Sequence, residues 1–481
     1  MPKVGMVSLG CPKNLVDSEV MLGILARNGY ELTPHAADAD VIVVNTCSFI
    51  EPAKQESIDT ILEMAEHKKT GSARKLVVAG CLVERYRRQI LEEIPEVDFV
   101  IGTNELEQVL AACDLESDRR ESRAGADPYL YHEMTPRVLS TPSYSAYIKI
   151  AEGCDHPCSF CVIPQMRGSF RSRRFDSVVR EAQNLVAKGA REITLVGQDN
   201  TSYGEDLGLH DGLAMLLRAL GKIEDLVWLR FLYCYPNRVT DALIAAVADT
   251  PKAAKYFDIP LQHASRSVLK AMRRGSDGEH FLQMLQKIRS AIPEATLRTS
   301  MIVGFPGETE QDFETLLQFV AVAQFDHLGV FLYSNEETSA SFALQGQVPA
   351  AEARKRQRQL MALQKKISRQ NLRKWLGRRI PVLVEGRSEE TDLLFQGRME
   401  SQAPGIDGRA LISDFEGSEP KPGEYRWAVI TGSHDYDVVA RLEGAHFAEL
   451  VPGPSRVAEV STLVQIQPRL NAEELHAMSH L

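Results

Sequence analysis

Three closely spaced cysteines are the residues of this 481-residue chain whose type and spacing indicate chemistry most directly. Cys154, Cys158 and Cys161 follow the apolar stretch at 146–150. Three thiolates on one loop can hold three irons of a cubic iron–sulfur cluster, so that the fourth iron is open to a substrate or cofactor. A zinc site is the alternative, but zinc favours paired Cys-x-x-Cys or Cys/His spacings with four ligands. The spacing therefore predicts a catalytic cluster.

Three further cysteines each follow a predicted buried strand in residues 1–115. Cys11, Cys47 and Cys81 come directly after apolar stretches that alternate with helical patterns, which predicts a parallel-sheet α/β domain. Ligands of open α/β sheets collect beyond the carboxyl ends of the strands, so these thiols are expected to converge and to hold a second cluster. Three unrelated buried cysteines remain the alternative. The predicted strands are 4–9, 41–44 and 75–79, and the predicted helices lie near 15–28, 52–67 and 84–92.

After a charged linker at 116–143, a second domain is predicted over 144–345. Six apolar strand patterns alternate with helical ones, which is typical of a partial (β/α)6 barrel. Barrel enzymes place their chemistry at the carboxyl ends of the strands, where the cysteine loop and several polar residues occur. The predicted strands are 146–150, 192–196, 227–233, 256–259, 296–303 and 327–332, and the polar residues after them include Gln262 and His263.

The last part of the chain changes in charge and pattern. Residues 346–379 are predicted to form a connecting helix, and the stretch 351–379 carries 11 Lys and Arg against one acidic residue. Residues 380–445 are rich in short β patterns and resemble the small, OB-like antiparallel β-barrel called TRAM. Within it, residues 380–443 hold 13 Asp and Glu against 6 Lys and Arg. The tail at 446–481 suggests no role.

Composition agrees with an intracellular enzyme. The net charge of −10 disfavours a general polyanion-binding protein. The amino-terminal residues lack the basic and apolar segments of a secretion signal, and no apolar run is long enough to span a membrane, so a cytoplasmic location is expected. In a reducing compartment, eight cysteines are expected to be metal ligands or buried thiols and not disulfides. Cys113 and Cys234, which have no partner pattern, are interpreted as packing residues.

The three-cysteine domain, the cysteine loop of the barrel and the terminal module together resemble one family along nearly the whole chain, the radical S-adenosylmethionine (SAM) methylthiotransferases. Three segments resemble the RimO branch, which modifies a ribosomal protein. The tRNA-modifying branch typically has Cys-Asn where this chain has Cys-Pro-Lys-Asn. The segments are 9–19 (LGCPKNLVDSE), 151–156 (AEGCDH) and 167–173 (RGSFRSR).

The resemblance implies a reaction in which a methylthio group replaces a hydrogen on the β-carbon of an aspartate in small-subunit ribosomal protein twelve. Two [4Fe-4S] clusters are then expected, one on Cys154, Cys158 and Cys161 and the other on the three N-terminal cysteines. SAM serves as methyl donor and, at the first cluster, as the source of a 5′-deoxyadenosyl radical. That hydrogen is not acidic, which is why a radical and not a general base is needed.

The resemblance also suggests SAM contacts, each with a structural alternative. Gly197, Gln198 and Asp199 are similar to the superfamily motif that touches the SAM amino group, although Asp199 could simply cap a helix. The segment 300–308, with Ser300 and Gly304, is similar to the one that packs along the adenine, although it could be a strand-to-helix turn. The arginines near the cluster loop could pair with carboxylates or form a solvated basic surface. They are Arg167, Arg171, Arg173 and Arg174.

The expected partners are a small-subunit ribosomal protein, free or within assembling subunits, and a low-potential electron donor such as flavodoxin or ferredoxin. The sulfur donor is not indicated, and no membrane is expected. The acidic terminal module favours a basic protein over tRNA, whose phosphates it would repel. The basic helix would instead suit ribosomal RNA. The alternatives are a tRNA adenosine methylthiotransferase and, more distantly, a non-catalytic iron–sulfur carrier.

Overall fold

The structure is a computed structural model that describes residues 1–117, 119–121, 129–447 and 463–464. It contains an N-terminal α/β domain, a six-stranded partial barrel and a small closed β-barrel. Within the described ranges, no helix is both long enough and apolar enough to cross a membrane.

The N-terminal domain is built on a five-stranded parallel sheet in the order β2-β1-β3-β4-β5. The three predicted strands form its centre because both of their faces are covered, as their continuous apolar sequences require. The edge strands were not predicted, since two or three residues give no periodic signal. Its elements are β1 (Lys3–Ser8), α1 (Pro12–Arg27), β2 (Glu31–Leu32), β3 (Val41–Thr46), α2 (Glu51–Thr70), β4 (Lys75–Gly80), α3 (Cys81–Glu93), β5 (Phe99–Ile101) and α4 (Val109–Cys113).

The second domain contains all six predicted barrel strands, arranged as two parallel sheets in the orders β10-β9-β6 and β11-β12-β13. The halves are joined through backbone contacts, such as Ala254 N donating to Leu229 O at 2.8 Å. Apolar side chains of the strands and surrounding helices form one large core. The elements are β6 (Ser145–Lys149), β7 (Ala151–Glu152), α5 (Ile163–Arg167), β8 (Arg171–Ser172), α6 (Phe175–Ala187), β9 (Glu192–Val196), α7 (Gly212–Leu220), β10 (Trp228–Phe231), α8 (Asp241–Asp249), β11 (Tyr256–Asp258), α9 (Arg266–Ala271), α10 (Gly278–Ala291), β12 (Thr296–Val303), α11 (Glu310–Ala323) and β13 (His327–Leu332).

A long helix, α12 (Ala350–Arg373), connects this barrel to the small one and ends before the predicted boundary at 379. Leu360 and Ile367 bury its apolar stripe in the barrel core. On its other side, Lys365 and Arg369 both pair with Asp435 of the small barrel. The helix therefore packs against both domains and connects them. Two of its positive charges form ion pairs within the protein.

The C-terminal module is a closed five-stranded barrel in the order β14-β15-β16-β18-β17. Strands β16 and β18 pair in parallel, whereas the other pairings are antiparallel. A buried ion pair of 2.6 Å between Arg398 Nη2 and Glu192 Oε2 fixes the module to the larger barrel. The strands are β14 (Arg379–Arg387), β15 (Phe395–Met399), β16 (Ala410–Phe415), β17 (Tyr425–Ser433) and β18 (Val438–His446).

The described part of the predicted linker is partly buried between the first two domains. Tyr131 is buried, and Arg137 pairs with Glu19 of α1 at 2.6 Å and with Glu181 of α6 at 2.8 Å. These side chains lie between the first two domains, where ion pairing offsets the cost of burying charge. The prediction of a purely surface linker was therefore wrong for this part. Most of the tail lies outside the described residues.

Candidate active site

The three cysteines of the N-terminal domain lie together at one edge of its sheet. Cys11 precedes α1, Cys47 follows β3 and Cys81 begins α3, and the strands before them are neighbours. The contact is tight, since a Cβ atom added to Gly10, at φ +82°, would lie 3.0 Å from Cys47 Sγ. The structure thus brings these sequence-distant thiols together, as the strand-end rule predicts.

The other three cysteines occupy the loop between β7 and α5, at the carboxyl end of the first barrel strand. Two of their sulfurs accept hydrogen bonds from nearby groups: Ile163 N–H donates to Cys161 Sγ at 3.4 Å, and Arg274 Nη1 donates to Cys158 Sγ at 3.5 Å. Donors to thiolate sulfur stabilise its negative charge and that of a cluster bound to it. In the described part of the chain, no three His, Cys, Asp or Glu side chains are placed to share one metal ion.

One cavity is lined by residues of both the N-terminal domain and the barrel, and its volume is about 1160 Å³ when its open mouth is included. The barrel cysteines line it directly. From the N-terminal domain, Lys13, two residues after Cys11, and Phe49, two residues after Cys47, also line it. Phe49 also packs against Cys81. The barrel cysteines thus line the cavity, and two of the N-terminal cysteines lie two residues before residues that line it.

Burial disfavours the charged form of four cysteine thiols at the site. It raises the pKa of Cys47, Cys81 and Cys161 above its ordinary value and raises the pKa of Cys154 to about 11. Metal ligation requires the thiolate, so loading of iron has to displace protons.

Buried polar atoms without a hydrogen-bond partner identify the part of the cavity that fits a polar cofactor. Gln198 Oε1, Ser300 Oγ and Arg274 Nε all belong to lining residues and are left unsatisfied by the protein. Since buried polar groups are normally paired, these atoms indicate a polar ligand. SAM has groups that match each of these atoms: an amino group for the acceptor Gln198 Oε1, a carboxylate for the donor Arg274 Nε and hydroxyls for Ser300 Oγ. Phe160 and Ile302 provide an apolar surface in the same cavity. The residues present therefore fit SAM.

Asp199 has both of the roles considered for it. Its Oδ1 accepts from Thr201 N–H at 2.8 Å, which caps a short 3-10 helix. Its Oδ2 lies 2.6 Å from His156 Nε2, and the His156 ring stacks on Tyr235 at 3.6 Å between centroids. His156 lies between Cys154 and Cys158, so this contact holds the cysteine loop in place. Sequence reasoning missed His156 and Tyr235, because a histidine within a loop has no distinctive spacing.

The two predicted cofactor-binding glycines are not among the residues that line the cavity. A Cβ on Gly197 would lie 2.6 Å from Asn200 Oδ1, and one on Gly304, at φ +81°, would lie 2.7 Å from Ala353 Cβ of α12. Both glycines therefore allow neighbouring side chains to pack closely behind the residues that line the cavity. Gln198, Asp199 and Ser300 of the same prediction do line the cavity.

Two lining residues are held in unfavourable backbone conformations. Tyr233 has φ 59° and Gln262 has φ 75°, and for residues with a side chain such values cost about 1–3 kcal/mol. Strain of this kind clusters at ligand sites, and it supports the prediction that Gln262 lines the cavity. His263 does not line it, since this buried ring accepts from Ser265 N–H at 3.0 Å through Nδ1. His263 is a structural residue.

The arginines after the cysteine loop form neither a carboxylate clamp nor a wholly solvated surface. Arg173 is buried and paired with Glu181, whereas Arg174 is exposed. Arg171 donates to Asn104 Oδ1 at 3.1 Å. Arg167 is buried at the domain boundary, where its guanidinium reaches the N-terminal cysteines. Neither of the two roles considered for these arginines applies to all four, because neighbours in sequence face different environments.

Arg167 is the centre of a buried charge network between the domains. Its guanidinium donates to Asp17 Oδ2 at 2.6 Å and to Cys81 Sγ at 3.4 Å. Glu152 accepts from Arg167 at 3.4 Å and from Gln198 Nε2 at 2.9 Å. Burial alone would raise the pKa of Glu152, but Lys149 and Arg167 hold it at about 2. This network connects the N-terminal cysteines to the proposed SAM site.

We expect Arg167→Met to lower the free energy of unfolding by about 3–5 kcal/mol, because removing one member of a buried ion network leaves the others uncompensated. The measurement is the urea unfolding midpoint of the purified full chain, compared with that of Arg174→Met. Arg174 has an 83% exposed side chain, so its replacement is expected to change stability by less than about 0.5 kcal/mol. Equal midpoints for the two variants would contradict the role given to the network.

Three parts of the chain match known families. Residues 3–102 match the uncharacterized protein family UPF0004, residues 148–320 match the radical SAM superfamily, and residues 376–442 match the TRAM domain. These ranges contain the N-terminal cysteines, the barrel cysteines and the small barrel, respectively.

Relatives similar over nearly the whole chain have a single name, ribosomal protein uS12 methylthiotransferase RimO. The relative from Solibacter usitatus is 58% identical over 96% of this chain and 100% of its own length. The one from Koribacter versatilis is 56% identical over 92% of this chain and 96% of its own, and the one from Geobacter sulfurreducens is 48% identical over 92% and 98%. The chain belongs to the RimO family of radical SAM methylthiotransferases. RimO membership implies SAM and [4Fe-4S] clusters as cofactors, and the lining of the cavity fits SAM.

More distantly related proteins of known structure share this fold. The radical SAM methyltransferase TsrM from Kitasatospora setae superimposes with a TM-score of 0.51 at 16% identity, and covers 69% of this chain and 75% of its own. That structure has a [4Fe-4S] cluster and cobalamin bound. At this identity the likeness concerns the fold alone.

Proposed function

We propose that this chain transfers a methylthio group to the β-carbon of an aspartate in ribosomal protein uS12, with one SAM as methyl donor and a second as radical source. The observation that carries the proposal is the placement of two cysteine triads, from different domains, beside one cavity. A methylthiotransferase needs both a radical generator and a sulfur site, and each triad would serve one of these roles. Since the target is a ribosomal protein, the reaction is expected in the cytoplasm.

The residues that would hold each cofactor follow from their positions. A cluster with bound SAM supplies one-electron cleavage of SAM to a carbon radical, which can remove an unactivated hydrogen. Gln198 Oε1 is placed to accept from the SAM ammonium because its Nε2 already donates to Glu152. Phe160 and Phe331 line the cavity and would keep water away from the reacting carbon. The proposed ligands are Cys154, Cys158 and Cys161 for the SAM cluster and Cys11, Cys47 and Cys81 for the second cluster.

The surface charge of the small barrel supports a protein substrate. Six of its acidic residues are exposed, and an acidic surface attracts a basic ribosomal protein but repels tRNA. Other acidic residues of the module face inward, as Asp407 does when it accepts from Tyr256 OH at 2.7 Å. The exposed acidic residues are Glu389, Glu390, Asp392, Asp414, Glu416 and Glu419.

A contact with ribosomal RNA is supported by one feature, the exposed basic surface of α12. Seven of its Lys and Arg residues are exposed, and apart from Lys365 and Arg369, which pair with Asp435, they would suit phosphate groups near uS12 in an assembling subunit. This contact would add to the protein substrate and would not replace it. The exposed residues are Arg354, Lys355, Arg358, Lys365, Lys366, Arg369 and Arg373.

The test is to incubate anaerobically reconstituted enzyme with SAM, sulfide and a low-potential reductant, offering recombinant uS12 and bulk tRNA in separate reactions. Replacement of H by SCH3 adds about 46 Da. We expect this gain on one aspartate of uS12, located by fragmentation mass spectrometry. A gain on tRNA alone would support the tRNA-modifying alternative, and release of no deoxyadenosine under reduction would support an iron–sulfur carrier.

A further inference from the structure

A buried arginine contacts one of the barrel cysteines. Arg274 is 5% exposed and lines the cavity, and its Nη1 donates to Cys158 Sγ at 3.5 Å. Its Nη2 donates to the carbonyl of Pro260, and its Nε has no hydrogen-bond partner in the part of the chain that the structure describes. A buried cation is costly unless an anion compensates its charge. Since neither acceptor is a carboxylate, the compensating anion is expected at the thiolate sulfur.

The backbone that carries Arg274 is fixed to the cysteine loop. Ser159, the residue after Cys158, donates through its N–H to Met272 O at 3.0 Å and through its hydroxyl to Ala271 O at 2.8 Å. These two carbonyls belong to the end of α9 and the residue after it, just before Arg274. The loop and the arginine are therefore held in one arrangement, and the contact with Cys158 does not depend on the arginine side chain alone.

An aromatic ring orients the guanidinium. The central carbon of the Arg274 guanidinium lies 4.5 Å from the centroid of the Tyr235 ring, and the same ring stacks on His156 of the cysteine loop. Asn237 Nδ2 also donates to the Arg274 carbonyl at 3.2 Å. The face of a ring attracts a cation but does not neutralise it as a carboxylate would. The positive charge is thus kept beside Cys158.

A positive charge at this sulfur would change the energy of electron uptake. A cubic cluster becomes one unit more negative when it is reduced, and its potential depends on nearby charge and on hydrogen bonds to its sulfurs. We propose that Arg274, acting through Cys158, raises the reduction potential of the barrel cluster. Reduction takes one electron from a low-potential donor, and Arg274 exchanges neither a bond nor a proton. This inference rests on the proposed assignment of a cluster to the barrel cysteines.

The test is a redox titration of the reconstituted full chain without SAM, followed by the electron paramagnetic resonance signal of the reduced cluster. Cys11, Cys47 and Cys81 are replaced by alanine in every sample, so that the signal comes from the barrel cluster. We expect Arg274→Met to lower the ratio of reduced to oxidised cluster about tenfold at a fixed potential, which is 59 mV for a one-electron couple. Arg274→Lys keeps the charge and is expected to show a smaller shift.

The matched control is Arg273→Met, which removes the same charge from an exposed neighbouring residue. Because water and salt screen an exposed charge, this change is expected to alter the ratio less than twofold. If Arg274→Met does not retain iron, Arg274→Gln against Arg274→Lys gives the same comparison of a neutral and a charged side chain.

Three results would count against the proposal, and they differ in what they reject. Equal midpoint potentials for Arg274→Met and the Arg273→Met control would overturn it and leave the proposed function intact. A difference that develops only after SAM is added would also overturn it, and would assign Arg274 to the SAM carboxylate. If the parent variant, with arginine at 274 and the three N-terminal cysteines replaced, holds no cluster, the assignment of the barrel cysteines fails, and the proposed function fails with it.

Discussion

Cys158→Ala is expected to abolish reductive cleavage of SAM. Three thiolates are proposed to hold the cluster of the barrel, and removal of one leaves two ligands for a four-iron cube, which is not enough to retain it. Cys158 also lines the cavity and accepts a hydrogen bond from Arg274. The measurement is 5′-deoxyadenosine release under strong reduction, by chromatography, and we expect no product above the enzyme-free background.

The matched control is Cys113→Ala. Cys113 is fully buried in α4 and belongs to neither triad, so its replacement is expected to leave SAM cleavage and iron content unchanged. Cleavage by Cys158→Ala at a rate similar to that of the control would remove the barrel triad from its proposed role.

Cys47→Ala is expected to separate the two halves of the reaction. It removes one proposed ligand of the second cluster, so iron is expected to fall from about eight atoms per chain to about four. SAM cleavage is expected to continue because the barrel cysteines are intact. Formation of methylthiolated uS12 is expected to be lost, since the sulfur site is gone.

The measurements are iron and sulfide content, deoxyadenosine release and the mass of uS12 after the same incubation. Full methylthio product from Cys47→Ala would show that the N-terminal triad does not supply the sulfur site. Loss of deoxyadenosine together with product would instead show that the two sites depend on each other for folding or assembly.

The sequence predicts those parts of the site that depend on residues close together in the chain or at the ends of predicted strands. The spacing of Cys154, Cys158 and Cys161 within one loop is visible directly, and the convergence of Cys11 and Cys47 follows from parallel strands whose ends must be adjacent. The central strands are equally clear, because apolar runs in parallel sheets are continuous. The SAM contacts of Gly197 and Gly304 stay a prediction, since sequence does not show which side of the wall a glycine faces.

The parts that escaped prediction depend on contacts between distant residues. Arg167 and Asp17 are separated by 150 positions, and Arg137 and Glu19 by 118. Charged residues in sequence usually indicate a solvated surface, and nothing local distinguishes those buried between domains. For the same reason the 116–143 segment was predicted as a surface linker, although Tyr131 and Arg137 are buried on folding.

The ion network between α1 and the barrel has a consequence for hybrids of related enzymes. Asp17 comes from one domain, while Lys149 and Arg167 come from the other, and each is almost completely buried. A chimera that joins the first hundred residues of one homologue to the barrel of another has to inherit matching members of this set. Where the two parent proteins differ at these positions, the hybrid would bury an unpaired charge between its domains. The hybrid is then expected to misfold even if each domain folds correctly in its own parent.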